Sequence, residues 1–137
     1  MTTVDDGAES AVSGALMWQD GLPSGAAEAR AMACSLLERF EPKVPERTAG
    51  DVLLVVSELV TNAVRHAGGV TGFRVSACAG EVEIAVRDAS PLLPVGREHG
   101  QDWLPGGYGW PLVQRLAEVT VTVLGDGGKL IRALVRH

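Results

Sequence analysis

The chain has 137 residues, a common size for one domain, and its 46% apolar and 21% charged residues exclude a disordered or fibrous protein. The formal net charge is −5 and basic residues form no run, which argues against direct binding of nucleic acid. The most apolar stretch, residues 52–56, is far shorter than the roughly twenty residues that cross a bilayer. We therefore expect a soluble protein that contacts neither nucleic acid nor membrane.

The N-terminal part of the chain changes character near residue 14. Residues 1–13 are small and polar and predict a flexible tail, followed by a single domain over residues 14–137. A short apolar run at residues 15–18 favours an edge strand. Ser24 is a suitable N-cap for a helix that reaches about residue 40, because the apolar positions there follow helical spacing.

The N-terminus and the cysteines bear on the compartment. The first residues lack the basic start and apolar core of a signal peptide. Cys34 and Cys78 lie far apart without zinc-like spacing, which indicates two buried thiols in a reducing compartment, although the sequence leaves a disulfide open. Both observations predict a cytoplasmic protein.

The longest predicted helix begins between residues 46 and 51, runs to residue 66 and is closed by the glycine pair at positions 68 and 69. One face is apolar and should pack against a sheet; its residues are Val52, Leu53, Val56, Val60, Ala63 and Val64. Residues 72–79 and 81–87 then alternate like two strands of a hairpin.

The C-terminal half holds a long connector, a helix and a second hairpin. Residues 90–107 are rich in proline and glycine, and a loop of this length is typical of a lid, a binding loop or disorder. A third helix follows at residues 111–116, and strands at 119–124 and 130–135 close the chain. This order predicts an α+β, two-layer sandwich: a mixed, mostly antiparallel sheet of about five strands covered on one face by three helices.

A polar stripe runs along the long helix. Glu58, Asn62 and His66 are spaced four apart and therefore share one side of it. Val55 and Leu59 flank the stripe, which favours a partly apolar pocket. From spacing alone, an exposed polar face is an equally good interpretation.

Residues 57–67 resemble the N-box of the GHKL ATPases, the superfamily of DNA gyrase, sensor histidine kinases and bacterial anti-sigma-factor serine kinases. The resemblance implies that the Asn62 oxygen binds Mg²⁺ against the triphosphate of ATP. It implies that Glu58 is the catalytic base and that His66 lies near the phosphates. These roles suit the residue types, since Mg²⁺ prefers oxygen ligands and a carboxylate can accept a hydroxyl proton.

Residues 86–91 resemble the G1 box of the same superfamily. The resemblance implies that Asp88 accepts a hydrogen bond from the adenine amino group and that Ser90 lies beside the nucleotide. Without that context, an aspartate that closes a strand in an Asx-type turn is an equally good interpretation of Asp88. Ser90 and Leu92 stand where the family usually has glycines, which predicts a stiffer base for the lid.

Residues 106–113 resemble the G2 box, in which glycines before a helix let backbone amides approach the phosphates. The resemblance implies that Gly107, Tyr108 and Gly109 contact the nucleotide. Tyr108 and Trp110 are bulkier than the family pattern, and Leu130 stands where a threonine near adenine is usual. Aromatic side chains around this loop fit either packing onto their own domain or an anchor for a protein partner.

The three boxes occur in the family order, and the resemblance covers about residues 15–136. It implies the Bergerat-type fold and is closest to the compact anti-sigma-factor serine/threonine kinases. Such a protein uses ATP and Mg²⁺, phosphorylates an anti-sigma antagonist, sequesters a sigma factor and forms a homodimer. The departures from the pattern favour a second hypothesis, a catalytically weak or inactive ATP-sensing module that binds proteins. A simple ATPase is a third.

Overall fold

The computed structural model describes residues 21–92 and 109–137. The predicted tail at 1–13, the edge strand at 15–18 and most of the connector lie outside these residues. The helices and strands, in chain order, are α1 Ala26–Arg39, α2 Glu46–Ala67, β1 Val70–Cys78, β2 Glu81–Asp88, α3 Gly109–Leu116, β3 Glu118–Val123 and β4 Lys129–Arg136. Each predicted element in this part of the chain is confirmed, with ends displaced by at most two residues.

The strands form one antiparallel sheet in the order β1-β2-β4-β3. β1 with β2 and β3 with β4 are hairpins, and the pairing of β2 with β4 joins them at the centre of the sheet. The described residues contribute four strands rather than about five, because the predicted fifth lies before residue 21. The predicted α+β sandwich is confirmed.

The main core lies between α2 and one face of the sheet. The buried face of α2 includes Val52, Val56 and Val60, and it meets the alternate strand residues Phe73, Val75, Ile84, Val86, Ile131 and Ala133. Both α1 and α3 pack against α2, so the three helices cover that face. No helix in the described ranges is long and apolar enough to span a membrane.

Several local predictions are wrong. Val64 is 42% exposed, because each residue turns a helix by about 100° and Val64 lies one step beyond the buried Ala63. Cys34 and Cys78 are free thiols as predicted, but both are exposed. The N-cap of α1 is Gly25 without a side-chain cap, while the Ser24 N–H donates to Glu28 Oε1 at 2.7 Å.

The sheet face away from the helices carries polar side chains, several of which are buried. Arg74 and Ala85 are cross-strand partners there, and both are buried, as is Ser76. Arg132 forms an ion pair with Glu83 at 2.9 Å on the same face. The alternation in β2 therefore predicts correctly which residues share a face. The face directed away from the helices is less exposed to solvent than the alternation predicts.

Candidate nucleotide-binding site

The three residues of the polar stripe lie on α2 as predicted, with different exposure. Glu58 and Asn62 are half-buried, whereas His66 is exposed in the last turn of the helix. Val55 and Leu59 are completely buried in the core. These apolar flanks pack into the core, and the partly apolar pocket around the stripe stays a prediction.

Glu58 lies against the beginning of α3. A Cβ atom built on Gly109 would overlap Glu58 Oε1 and would lie 2.9 Å from its Cδ atom. Gly109 is buried and is the first residue of α3. The missing side chain is therefore what allows the carboxylate and the start of α3 to meet. This contact brings the middle of the N-box helix to the last glycine of the predicted phosphate loop.

Asp88 ends β2 and is almost fully buried. Its Oδ1 atom accepts a hydrogen bond from the Ser90 N–H at 2.9 Å, so the Asx-type turn anticipated as one interpretation is present. The Ser90 Oγ atom in turn accepts from the Leu92 N–H at 3.2 Å. The end of β2 therefore continues into a hydrogen-bonded turn, although the glycines that are usual in the G1 box are absent here.

The carboxylate of Asp88 also forms a buried ion pair that the sequence analysis missed. Lys129 Nζ lies 3.0 Å from Asp88 Oδ1 and 2.9 Å from Oδ2, and it donates to the Ser90 carbonyl oxygen at 3.2 Å. Both side chains are almost completely buried, with 6% and 3% of their surfaces exposed. The pattern that could have revealed the pair is a single lysine at the start of an apolar strand in the closing hairpin.

The β3–β4 turn positions this lysine. Asp88 and Lys129 are directly opposite in the antiparallel register of β2 and β4. Gly128 passes so close to the end of β2 that a Cβ atom there would overlap the Asp88 carbonyl oxygen and approach Ala89 Cα to 3.3 Å. Because successive strand residues face opposite sides, Leu130 points away from Asp88. The residue beside the predicted adenine contact is thus Lys129, and the prediction of Leu130 there is wrong.

The remaining predicted contacts are only partly described. Gly107 and Tyr108 lie outside the described residues, as does Trp103. Trp110 is half-buried and packs against the core, which agrees with the interpretation that the aromatic residues pack on their own domain.

The donor set fits the cofactors that the boxes imply. No cluster of three or more metal-binding side chains occurs among residues 21–92 and 109–137. A Mg²⁺–nucleotide complex needs no such cluster, since Mg²⁺ keeps several waters and takes phosphate oxygens plus one or two protein ligands. Asn62, half-buried on α2, offers one such oxygen. Asp88 keeps one carboxylate acceptor position that no described donor occupies.

A family model described as the histidine kinase-like ATPase domain matches residues 22–134. The chain belongs to this family. The resemblance to the GHKL ATPases is therefore confirmed, and the helix with Glu58 and Asn62, the Asp88 strand end and the start of α3 all lie within the matched range. None of the curated proteins matches the chain.

The solved structures that resemble this histidine kinase-like ATPase domain include two from one protein. One is the blue-light activated histidine kinase of Erythrobacter litoralis EL346, with 32% identity over 68% of this chain and a TM-score of 0.45. The other is the histidine kinase domain of the same protein, with 26% identity, 90% of this chain and 70% of that chain covered, and a TM-score of 0.49. The chain spans only 31% of the length of the first.

Proposed function

We propose that this domain binds Mg²⁺–ATP and transfers the γ-phosphoryl group to a serine or threonine hydroxyl of a regulatory protein, as an anti-sigma-factor kinase does. Membership of the histidine kinase-like ATPase family supports an ATP-dependent phosphotransferase. The observation that carries the site is the contact between Glu58 and Gly109, because it joins the candidate base to the start of α3.

The division of work among the residues follows from their chemistry. Asn62 would hold Mg²⁺ through its carboxamide oxygen, and the bound ion would neutralise charge on the triphosphate. Glu58 would accept the proton of the substrate hydroxyl. The hydroxyl oxygen would form a bond to the γ-phosphorus while the bond between the γ-phosphorus and the oxygen that bridges to the β-phosphate breaks. His66, exposed at the end of α2, would lie beside the phosphates.

The adenine base and the phosphates of ATP would contact different parts of the fold. Asp88 and Ser90, at the end of β2, would contact adenine, whereas Gly107, Tyr108 and Gly109 would contact the phosphates. The proposed partners are a sigma factor and an anti-sigma antagonist protein, with a homodimer as the working assembly. We also propose a cytoplasmic location.

A second candidate function is an ATP-sensing module that binds a protein without transferring phosphate. The G1-box departures at Ser90 and Leu92 favour it, because the hydrogen-bonded turn at these residues gives the lid a stiffer base than the usual glycines would. Both candidates bind ATP and differ only in transfer.

The two candidates are separated with γ-labelled ATP, candidate antagonist proteins and a Glu58→Gln variant. A kinase moves label onto the antagonist, and Glu58→Gln abolishes that transfer while ATP binding persists. If the wild type and the variant both bind ATP but neither transfers label to a serine or threonine of any antagonist, the result would support the sensing module. Release of labelled phosphate to water alone would identify an ATPase.

A further inference from the structure

The pair of Asp88 with Lys129 carries an inference about how the nucleotide base is recognised, which rests on the proposed nucleotide binding. We propose that Lys129 is a specificity-determining residue. By neutralising Asp88, it weakens recognition of the adenine amino group, so that the chain selects its nucleotide mainly through the triphosphate. The site then accepts a purine nucleotide that carries only hydrogen in place of the 6-amino group nearly as well as ATP.

Counting hydrogen bonds shows what remains for a base. A carboxylate offers about four acceptor positions. Lys129 donates to Oδ1 and lies 2.9 Å from Oδ2, and the Ser90 N–H also donates to Oδ1, so at least one position on Oδ2 is left. An amino group can therefore bind without opening the pair. The Lys129 ammonium carries three N–H donors, and three acceptor atoms lie near it: the two carboxylate oxygens of Asp88 and the Ser90 carbonyl oxygen.

The charge of the pair decides how strong that last hydrogen bond is. A hydrogen bond to an uncompensated carboxylate is charge-assisted and about twice as strong as a neutral one. Here an ammonium lies 2.9 Å from the carboxylate in a buried setting. The pair is neutral as a whole, so the remaining acceptor behaves like a neutral one. A neutral hydrogen bond changes affinity by about two- to tenfold, and one to a charged group by about tenfold to more than a hundredfold.

The pair is built into the fold rather than formed by a flexible surface side chain. Lys129 is fixed opposite Asp88 by the strand register, and the turn before it is held by hydrogen bonds from the Leu124 N–H to the Gly128 carbonyl oxygen at 2.8 Å and from the Gly128 N–H to Asp126 Oδ1 at 2.9 Å. Lys129 therefore stays at the base end of the proposed site.

The test measures the affinity of the whole chain for Mg²⁺–ATP and for the Mg²⁺ complex of purine riboside triphosphate, which lacks only the 6-amino group. The ratio of the two affinities reports what the amino group contributes. We expect a ratio below about tenfold in the wild type, as for a neutral hydrogen bond. Lys129→Gln keeps a donor for Asp88 but removes the charge, and we expect it to raise the ratio at least about fivefold.

The control is Lys43→Gln, since Lys43 and Lys129 are the two lysines of the chain and Lys43 is exposed between α1 and α2. It should leave the ratio unchanged. A wild-type ratio above tenfold, or a smaller rise in Lys129→Gln, overturns the inference while leaving ATP binding intact. Absence of binding by both nucleotides to the wild type overturns the proposed function, and the inference with it.

Reductive methylation gives a second readout that needs no nucleotide. Mass spectrometry should find Lys43 methylated rapidly and Lys129 protected in the native wild-type chain, because the Lys129 ammonium is buried and bonded. Equal reactivity of the two lysines would show that the pair does not persist in solution, and would also overturn the inference.

Discussion

Gly109→Ala tests whether the contact between Glu58 and the start of α3 exists as described. The added methyl group would overlap Glu58 Oε1, so the carboxylate has to move. Alanine in place of a helical glycine otherwise stabilises by about 0.5–1 kcal/mol, while inserting a methyl group into a packed site costs about 1–3 kcal/mol. We therefore expect Gly109→Ala to lower the free energy of unfolding by between about 0 and 2.5 kcal/mol.

A matched glycine separates the two contributions. Gly50 lies in α2, and a Cβ atom there would meet no neighbouring atom within 4 Å. Gly50→Ala should therefore stabilise the chain by the helical gain alone, about 0.5–1 kcal/mol. Urea denaturation of both variants measures the difference between them, which the contact predicts to be about 1–3 kcal/mol.

A double variant identifies the colliding group. In Glu58→Ala/Gly109→Ala the carboxylate is absent, so the penalty of the added methyl group should disappear, giving a coupling energy of about 1–3 kcal/mol in a double-mutant cycle. Additive effects, or equal stabilisation by Gly50→Ala and Gly109→Ala, would refute the contact and the argument that it positions the candidate base.

Two further predictions concern stability. Lys129→Met should destabilise the chain by about 3–5 kcal/mol in urea denaturation, because it leaves the buried charge of Asp88 without a partner, and the added Asp88→Asn substitution should restore much of that loss. A loss below 1 kcal/mol would contradict the buried pair. Leu59→Ala should cost about 2–5 kcal/mol since Leu59 is buried, while Leu54→Ala at an exposed position of the same helix should cost far less; equal costs would contradict the orientation of α2.

The long helix and the hairpins were predictable because their cues are local. The boundaries of α2 follow from a helical apolar repeat that ends at Gly68, which adopts a left-handed conformation with φ 78°. The strands follow from alternation. The outward position of Val64 did not follow, because the width of the buried face depends on how closely α2 lies on the sheet.

The site residues divide in the same way. The sequence places Glu58 and Asn62 on one side of α2, and the structure agrees. The meeting of Asp88 with Lys129 depends on the register of β2 against β4, which joins residues 41 positions apart. Neither periodicity nor a motif encodes that register. The contact of Gly109 with Glu58 likewise depends on the packing of α3 against α2.

The central claim is that α2 binds Mg²⁺–ATP through Asn62, and calorimetric titration of wild type and Asn62→Ala with ATP, with and without Mg²⁺, tests it directly. Thr61→Ala, a neighbouring half-buried polar position, is the control. We predict that Asn62→Ala lowers affinity for Mg²⁺–ATP by at least about a hundredfold, the upper end of what loss of an outer-shell partner costs a metal site, and that Thr61→Ala has little effect. Equal affinity of the wild type and Asn62→Ala for Mg²⁺–ATP would contradict the site.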